Sequence, residues 1–189
     1  DGYLYDNTTY IMTEDISIGY PFRLPENTTG NGIVWNGRGY KITVFGTGLW
    51  VGLFPHEVDV YNLNILSTRG LYLNSGWFFK VGRGGTATNC YSSGGIGQYG
   101  GGIFGSGSPG TARNCYSTVR IGTFSGGIFG RNSSGKATNC YSTGTISSDG
   151  GGIFGYSSTG TATNCYSSGN IESGGGEIFG SSSNGSRIT

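Results

Sequence analysis

Asn-Cys-Tyr-Ser occurs at 89–92, 114–117, 139–142 and 164–167, and Ile-Phe-Gly at 103–105, 128–130, 153–155 and 178–180. Both words recur with a constant step of 25 residues and no insertion. A step this regular constrains the fold more than any other feature, because each repeat must meet the same surroundings as the one before it. Carrying the register back past the motif words tests it. Six phenylalanines then share one column: Phe54, Phe79, Phe104, Phe129, Phe154 and Phe179. The column beside it reads Leu53, Phe78, Ile103, Ile128, Ile153 and Ile178. Asn64 falls with Asn89, Asn114, Asn139 and Asn164, and Leu71 with Ile96, Ile121, Ile146 and Ile171.

Several repeat classes share this period, and local chemistry separates them. Gly and Ser interrupt every window, so no apolar i, i+3, i+4 pattern persists long enough for a helix. Short β-prone pieces lie between Gly-rich corners instead. The expected fold is all-β, a right-handed parallel β-helix with 25-residue coils, each stacked on the next at about 4.8 Å. The 40 glycines among 189 residues fit tight corners and close backbone approach. Gly101-Gly102 and Gly151-Gly152, before Ile-Phe, mark a corner that needs positive φ or close approach. The Phe column is the expected core, each buried ring worth about 1.5–3 kcal/mol.

Residues 1–47 break the period but keep alternating pieces such as Ile16-Ser17-Ile18 and Tyr40-Lys41-Ile42-Thr43-Val44. They read as irregular N-terminal coils and a cap, continuous with the regular repeats of 48–189. The last coil changes rule at Glu177, as a cap or contact surface does. Ser181 to Thr189 begin a further coil, with Ser186 under Thr161 and Ile188 under Thr163. That open coil, Glu177 to Thr189, is expected to contact a neighbouring subunit, because an uncovered strand edge invites pairing.

Gly-Gly-Ile-Phe-Gly, a Ser/Gly turn, and then Thr-Ala-Thr-Asn-Cys-Tyr-Ser-x-Gly-x-Ile resemble the GLUG-type repeat of bacterial surface proteins and adhesins. Similar Asn-Cys-Tyr-Ser arrays occur in repeat proteins of large DNA viruses. Residues 85–180 carry the resemblance most strongly. Ile-Phe-Gly replaces the Leu-Val-Gly more usual in the bacterial version. The resemblance implies a β-helix on an extracellular, cell or virion surface, and it supplies no catalytic residues.

Composition excludes several functions. Eleven basic and ten acidic residues leave a net charge of +1, with no basic run for nucleic acid. No apolar stretch approaches the roughly 20 residues of a membrane helix, and no motif calls for a cofactor. Cys90, Cys115, Cys140 and Cys165 share a column that is open to two readings, buried free thiols or paired neighbours. Ile65 stands in that place one coil earlier. Zinc is disfavoured, since no two cysteines lie two to four residues apart.

Tyr91, Tyr116, Tyr141 and Tyr166 follow the cysteines and should face outward if the cysteines face inward. They form either a stripe for a glycan or protein partner or a self-stacked edge. Thr86/Thr88 and Thr161/Thr163 suggest an ice-binding lattice, which Arg113 and Lys136 interrupt. Asp149 and Glu172, on adjacent coils, are the best carboxylate pair for glycoside cleavage, but two exposed surface charges near one corner are the favoured reading. Glu14-Asp15, Glu57 and Asp59 lie in irregular segments, and His56 has no Ser or Cys partner. Asn7, Asn27, Asn132 and Asn184 begin N-glycosylation sequons. The expected role is a non-catalytic structural surface or assembly protein whose partners are itself, other subunits or glycans. The alternative is an adhesin-like binding module.

Overall fold

The computed structural model describes residues 5–19, 32–45 and 51–189. They form an all-β parallel solenoid of about 7 coils. One sheet stacks β1 (Thr9–Ile11), β3 (Val34–Asn36), β5 (Asp59–Tyr61), β7 (Thr86–Thr88), β9 (Thr111–Arg113), β11 (Lys136–Thr138), β13 (Thr161–Thr163) and β15 (Ser186–Ile188). The other stacks β2 (Ile16–Gly19), β4 (Lys41–Phe45), β6 (Asn64–Ser67), β8 (Tyr91–Ser92), β10 (Tyr116–Ser117), β12 (Tyr141–Ser142) and β14 (Tyr166–Ser167). Every pairing is parallel, as coils wound in one sense require. Single parallel bridges complete the turn along the Phe54–Phe179, Gly76–Gly176 and Ile96–Ile171 columns.

An Asn holds the corner between the sheets. Asn62, Asn89, Asn114, Asn139 and Asn164 all adopt φ of 50–54°. Asn tolerates this left-handed conformation better than most L-residues because its short amide bonds locally. The amides also form a ladder: Asn89 Nδ2 donates to Asn62 Oδ1 at 3.0 Å, Asn114 to Asn89 and Asn139 to Asn114 at 3.1 Å.

The glycine pairs work by close approach. A Cβ on Gly102 would overlap the Gly127 carbonyl oxygen, and one on Gly127 the Gly152 carbonyl oxygen. Positive φ is not involved at either position. Beside them each Ile-Phe carbonyl serves twice, Phe78 and Phe79 both donating to Ile103 O at 3.1 and 3.0 Å.

Five of the six column phenylalanines have no solvent exposure, and Phe179 is half-buried. From Phe79 to Phe179 the rings stack at 4.5–5.1 Å with interplanar angles of 4–10°. The spine continues below Phe54 by another route: Trp35 meets Phe54 edge-on at 5.6 Å, and Tyr10 stacks on Trp35 at 5.6 Å. These two rings come from the inward column of the first sheet, which higher up carries Val60 and then Ala87, Ala112, Ala137 and Ala162. Large side chains on that wall fill the core where the Phe column has not begun.

Two sequence readings need correction. Asn64 does not share a column with Asn89; Asn62 does, and Asn64 pairs with Tyr91. Likewise Leu63, not Ile65, stands where the cysteines follow, since Tyr91 N donates to Leu63 O as Tyr116 N does to Cys90 O. The cause is a local slip. Phe54 still pairs with Phe79 and Gly70 with Gly95 at 25 residues, whereas Asn62 meets Asn89 across 27. Extra residues between Phe79 and Thr86 are offset by a longer β6 and its following loop, so the slip is invisible in the flanking columns. The first sheet also keeps the 25-residue step in the described part of 1–47, with Thr9 on Val34 and Val34 on Asp59. In that part the irregular steps lie in the second sheet, where Ile16 meets Ile42 and Lys41 meets Asn64, and the first sheet slips only later, where Asp59 meets Thr86.

At the last described coil, Arg187 takes the inward place of the alanines and pairs with Glu177 at 3.0 Å. Glu177 occupies the column of Gly102, Gly127 and Gly152. Two inward positions that are small and uncharged in the regular repeats thus end in an ion pair.

Candidate binding surface

Strand alternation turns Cys90 and Ser92 into the core and Tyr91 out, and each regular coil repeats this. Tyr91, Tyr116, Tyr141 and Tyr166 stack at 4.4, 4.8 and 5.2 Å, within 21° of parallel. The tyrosines are thus self-stacked: the rings cover one another's faces and present their edges and hydroxyls. Tyr91 Oη lies 2.9 Å from Thr118 Oγ1. Partial desolvation, and then repulsion from its neighbours, raises the Tyr141 phenol above its ordinary range.

The ladder stops at Tyr91, because β6 supplies Asn64 in that column and β4 supplies Lys41. Lys41 pairs with Asp15 at 3.3 Å, and its backbone N–H donates to Asp15 Oδ1 at 3.0 Å. That backbone bond, with the ammonium, holds the Asp15 carboxyl below its ordinary range. Asp15, Gly39, Lys41, Asn64, Leu66, Tyr91 and Tyr116 line a cavity of about 340 Å³.

A second aromatic cluster escaped the sequence reading. Tyr99 and Phe124 stack at 5.4 Å, Phe124 meets Tyr156 edge-on at 5.2 Å, and the Arg131 guanidinium lies 4.9 Å above Tyr99. Tyr99 and Phe124 have φ of 64° and 60°, in a column that carries Asn74, Asp149 and Gly174 elsewhere. A left-handed conformation costs an ordinary L-residue about 1–2 kcal/mol. The only signal in the sequence was bulky residues in glycine-rich turns where the other coils have Asn, Asp or Gly. The Arg131 guanidinium packs on the Tyr99 and Tyr156 rings while its buried Nε has no hydrogen-bond partner, and the cluster buttresses that corner.

The four cysteines are free and buried. Each thiol donates to the carbonyl two residues before it, as Cys115 does to Arg113 O at 3.3 Å. Burial pushes the Cys115 thiol up, and a hydrogen bond with Cys115 and then burial lift Cys140 to about 12. Such thiols are poor nucleophiles and poor metal ligands. Among the described residues no cluster of three His, Cys, Asp or Glu could hold a metal ion.

The structure gives Asp149 and Glu172 separate partners: Ser181 Oγ donates to Asp149 Oδ1 at 2.6 Å, and Arg120 pairs with Glu172 at 3.3 Å. Glu57 and Asp59 line a shallow groove with Gly84, Gly85 and Pro109, so these two carboxylates do border a concavity. His56 is half-buried beside them, and its Nε2 has no hydrogen-bond partner. Of the sequon asparagines, Asn7, Asn132 and Asn184 are exposed, and Asn27 lies outside the described residues.

No family model matches the chain, and no curated protein matches it. A solved structure does. The crystal structure of a protein from Bacteroides ovatus described as a putative immunoglobulin A1 protease aligns with a TM-score of 0.65. The alignment covers all of this chain and 68% of that one at 22% identity. At that identity the likeness concerns the fold.

Proposed function

We propose that this solenoid is a non-catalytic structural module of an extracellular, cell or virion surface, a stiff stack of coils that assembles with itself or with other structural subunits. One observation carries the reading: the repeated side chains are spent on holding coil to coil. The Phe and Asn columns and the Ser108–Ser183 column stack or bond along the axis, and the repeated Tyr column does the same on the outside. Stability then grows by nearest-neighbour contacts, the design of a scaffold. The GLUG-type resemblance agrees with this reading and adds the surface location. The name of the Bacteroides ovatus protein belongs to that protein, and the separate partners of Asp149 and Glu172 and the inert thiols do not favour carrying it over.

A second reading is adhesin-like binding of a glycan or protein through the tyrosine face, favoured by the cavity where the ladder ends. Electron microscopy of the purified chain should show short rods, and incubation with immunoglobulin A1 or polysaccharides should leave both intact. Cleavage abolished by Asp149→Asn with Glu172→Gln would overturn the non-catalytic reading.

A further inference from the structure

A ladder of stacked rings hides its faces, so only an end of the ladder offers a flat aromatic wall. The Tyr91 end lies inside the chain, flanked by Asn64 of the preceding coil. Within the ladder each interstrand step of about 4.8 Å holds one ring. Lys41 pairs with Asn64 and Asn64 with Tyr91, so Lys41 stands two steps from Tyr91. The intervening step carries only the short Asn64 side chain, whose Nδ2 is drawn down to Gly39 O at 3.0 Å. The gap left there has a volume of about 340 Å³ and also reaches Tyr116.

Its walls differ in chemistry. Tyr91 supplies an aromatic face, Leu66 an apolar flank, and the Lys41–Asp15 pair a donor and an acceptor side by side. We propose that this gap binds a neutral hexopyranose unit of a glycan. A pyranose carries an apolar face of C–H groups that packs on an aromatic ring, and a rim of hydroxyls. Adjacent hydroxyls donate to a carboxylate and accept from an ammonium at the same time, so the ion pair is matched as a unit. Because the pair is balanced, the described lining residues carry no surplus cation to favour a uronate or a sialic acid. An aromatic side chain would fill the gap but would leave the Lys41–Asp15 edge without hydroxyl partners.

The proposal rests on the binding reading of the tyrosine face, and the test separates the two. The chain, biotinylated and clustered on streptavidin to raise avidity, is applied to a glycan microarray of neutral and acidic saccharides. Binding to neutral hexopyranosides is expected. Asn64→Tyr adds a fifth ring and plugs the gap while extending the ladder, and it should reduce the signal at least tenfold with the circular dichroism spectrum and thermal midpoint retained. Tyr91→Ala should do the same, and Tyr141→Ala, in mid-ladder, should keep most of it. Loss in Tyr141→Ala with full binding in Asn64→Tyr would overturn the gap as the site but leave the face as a binding surface. Binding to no glycan would overturn both. Binding to acidic glycans alone, or displacement by tyrosinamide but not by methyl hexopyranosides, would overturn the neutral-sugar assignment.

Discussion

Phe129 has a ring above it at 4.7 Å, a ring below at 4.7 Å and no exposure to solvent. Truncation to Ala leaves a cavity that neighbouring coils cannot close without breaking their own register. Phe129→Ala should therefore cost about 3–5 kcal/mol in denaturant unfolding, and a loss below about 1 kcal/mol would mean that the ring is not in the core. The cysteine column predicts a pH dependence. Cys140 is lifted from 9.0 to about 12 in the folded chain. A thiol with a raised folded pKa favours the native state least when the unfolded chain can ionise. Stability should thus be unaffected by this group below pH 9 and should fall between pH 9 and 12. The slope is about 1.4 kcal/mol per pH unit for each such thiol. Replacing Cys140 with Ala should flatten that segment of the unfolding-versus-pH curve, and an unchanged slope would show that the thiol titrates alike in both states.

The corners decide how one strand hands over to the next. Asn114 combines φ of 52° with amide bonds to Asn89 and from Asn139. Asn114→Ala loses both features, and Asn114→Gly loses only the bonds. Alanine should be the more damaging by about 1 kcal/mol, the backbone term alone, in parallel thermal melts. Equal losses would assign the whole effect to the amide ladder. The same corners explain what the sequence could reveal. Phe104, Cys115 and Tyr116 keep one spacing, so their columns and the inside-outside alternation followed from counting. The slip at Asn62 did not, because it opens and closes within one coil and Asn64 happens to stand 25 residues before Asn89. Tyr10 and Trp35 joined the aromatic spine unannounced, since they reach the core from a different wall than the phenylalanines. The end of the Tyr ladder was hidden for the same reason: its far wall, Lys41 and Asp15, could be placed only once the slip was known.

Over the whole molecule, the coil is the unit of both folding and presentation. Each regular coil contributes one ring to the spine, one amide to the corner ladder and one tyrosine to the outer face, and its neighbours complete it. A solenoid built this way can change length without changing its lateral chemistry. Its likeness to the Bacteroides ovatus protein is a likeness of fold. The claim that one coil is one 25-residue unit is tested most directly by deletion, with stability as the readout. Removing residues 114–138 joins Arg113 to Asn139 and preserves every column. Removing only residues 114–125 takes away less chain but strands half a coil. The account predicts that the longer deletion keeps a single cooperative unfolding transition and loses less stability than the shorter one. Small-angle scattering should show the particle shortened by about 4.8 Å. A half-coil deletion as stable as the full-coil one, or a full-coil deletion that fails to fold, would contradict it.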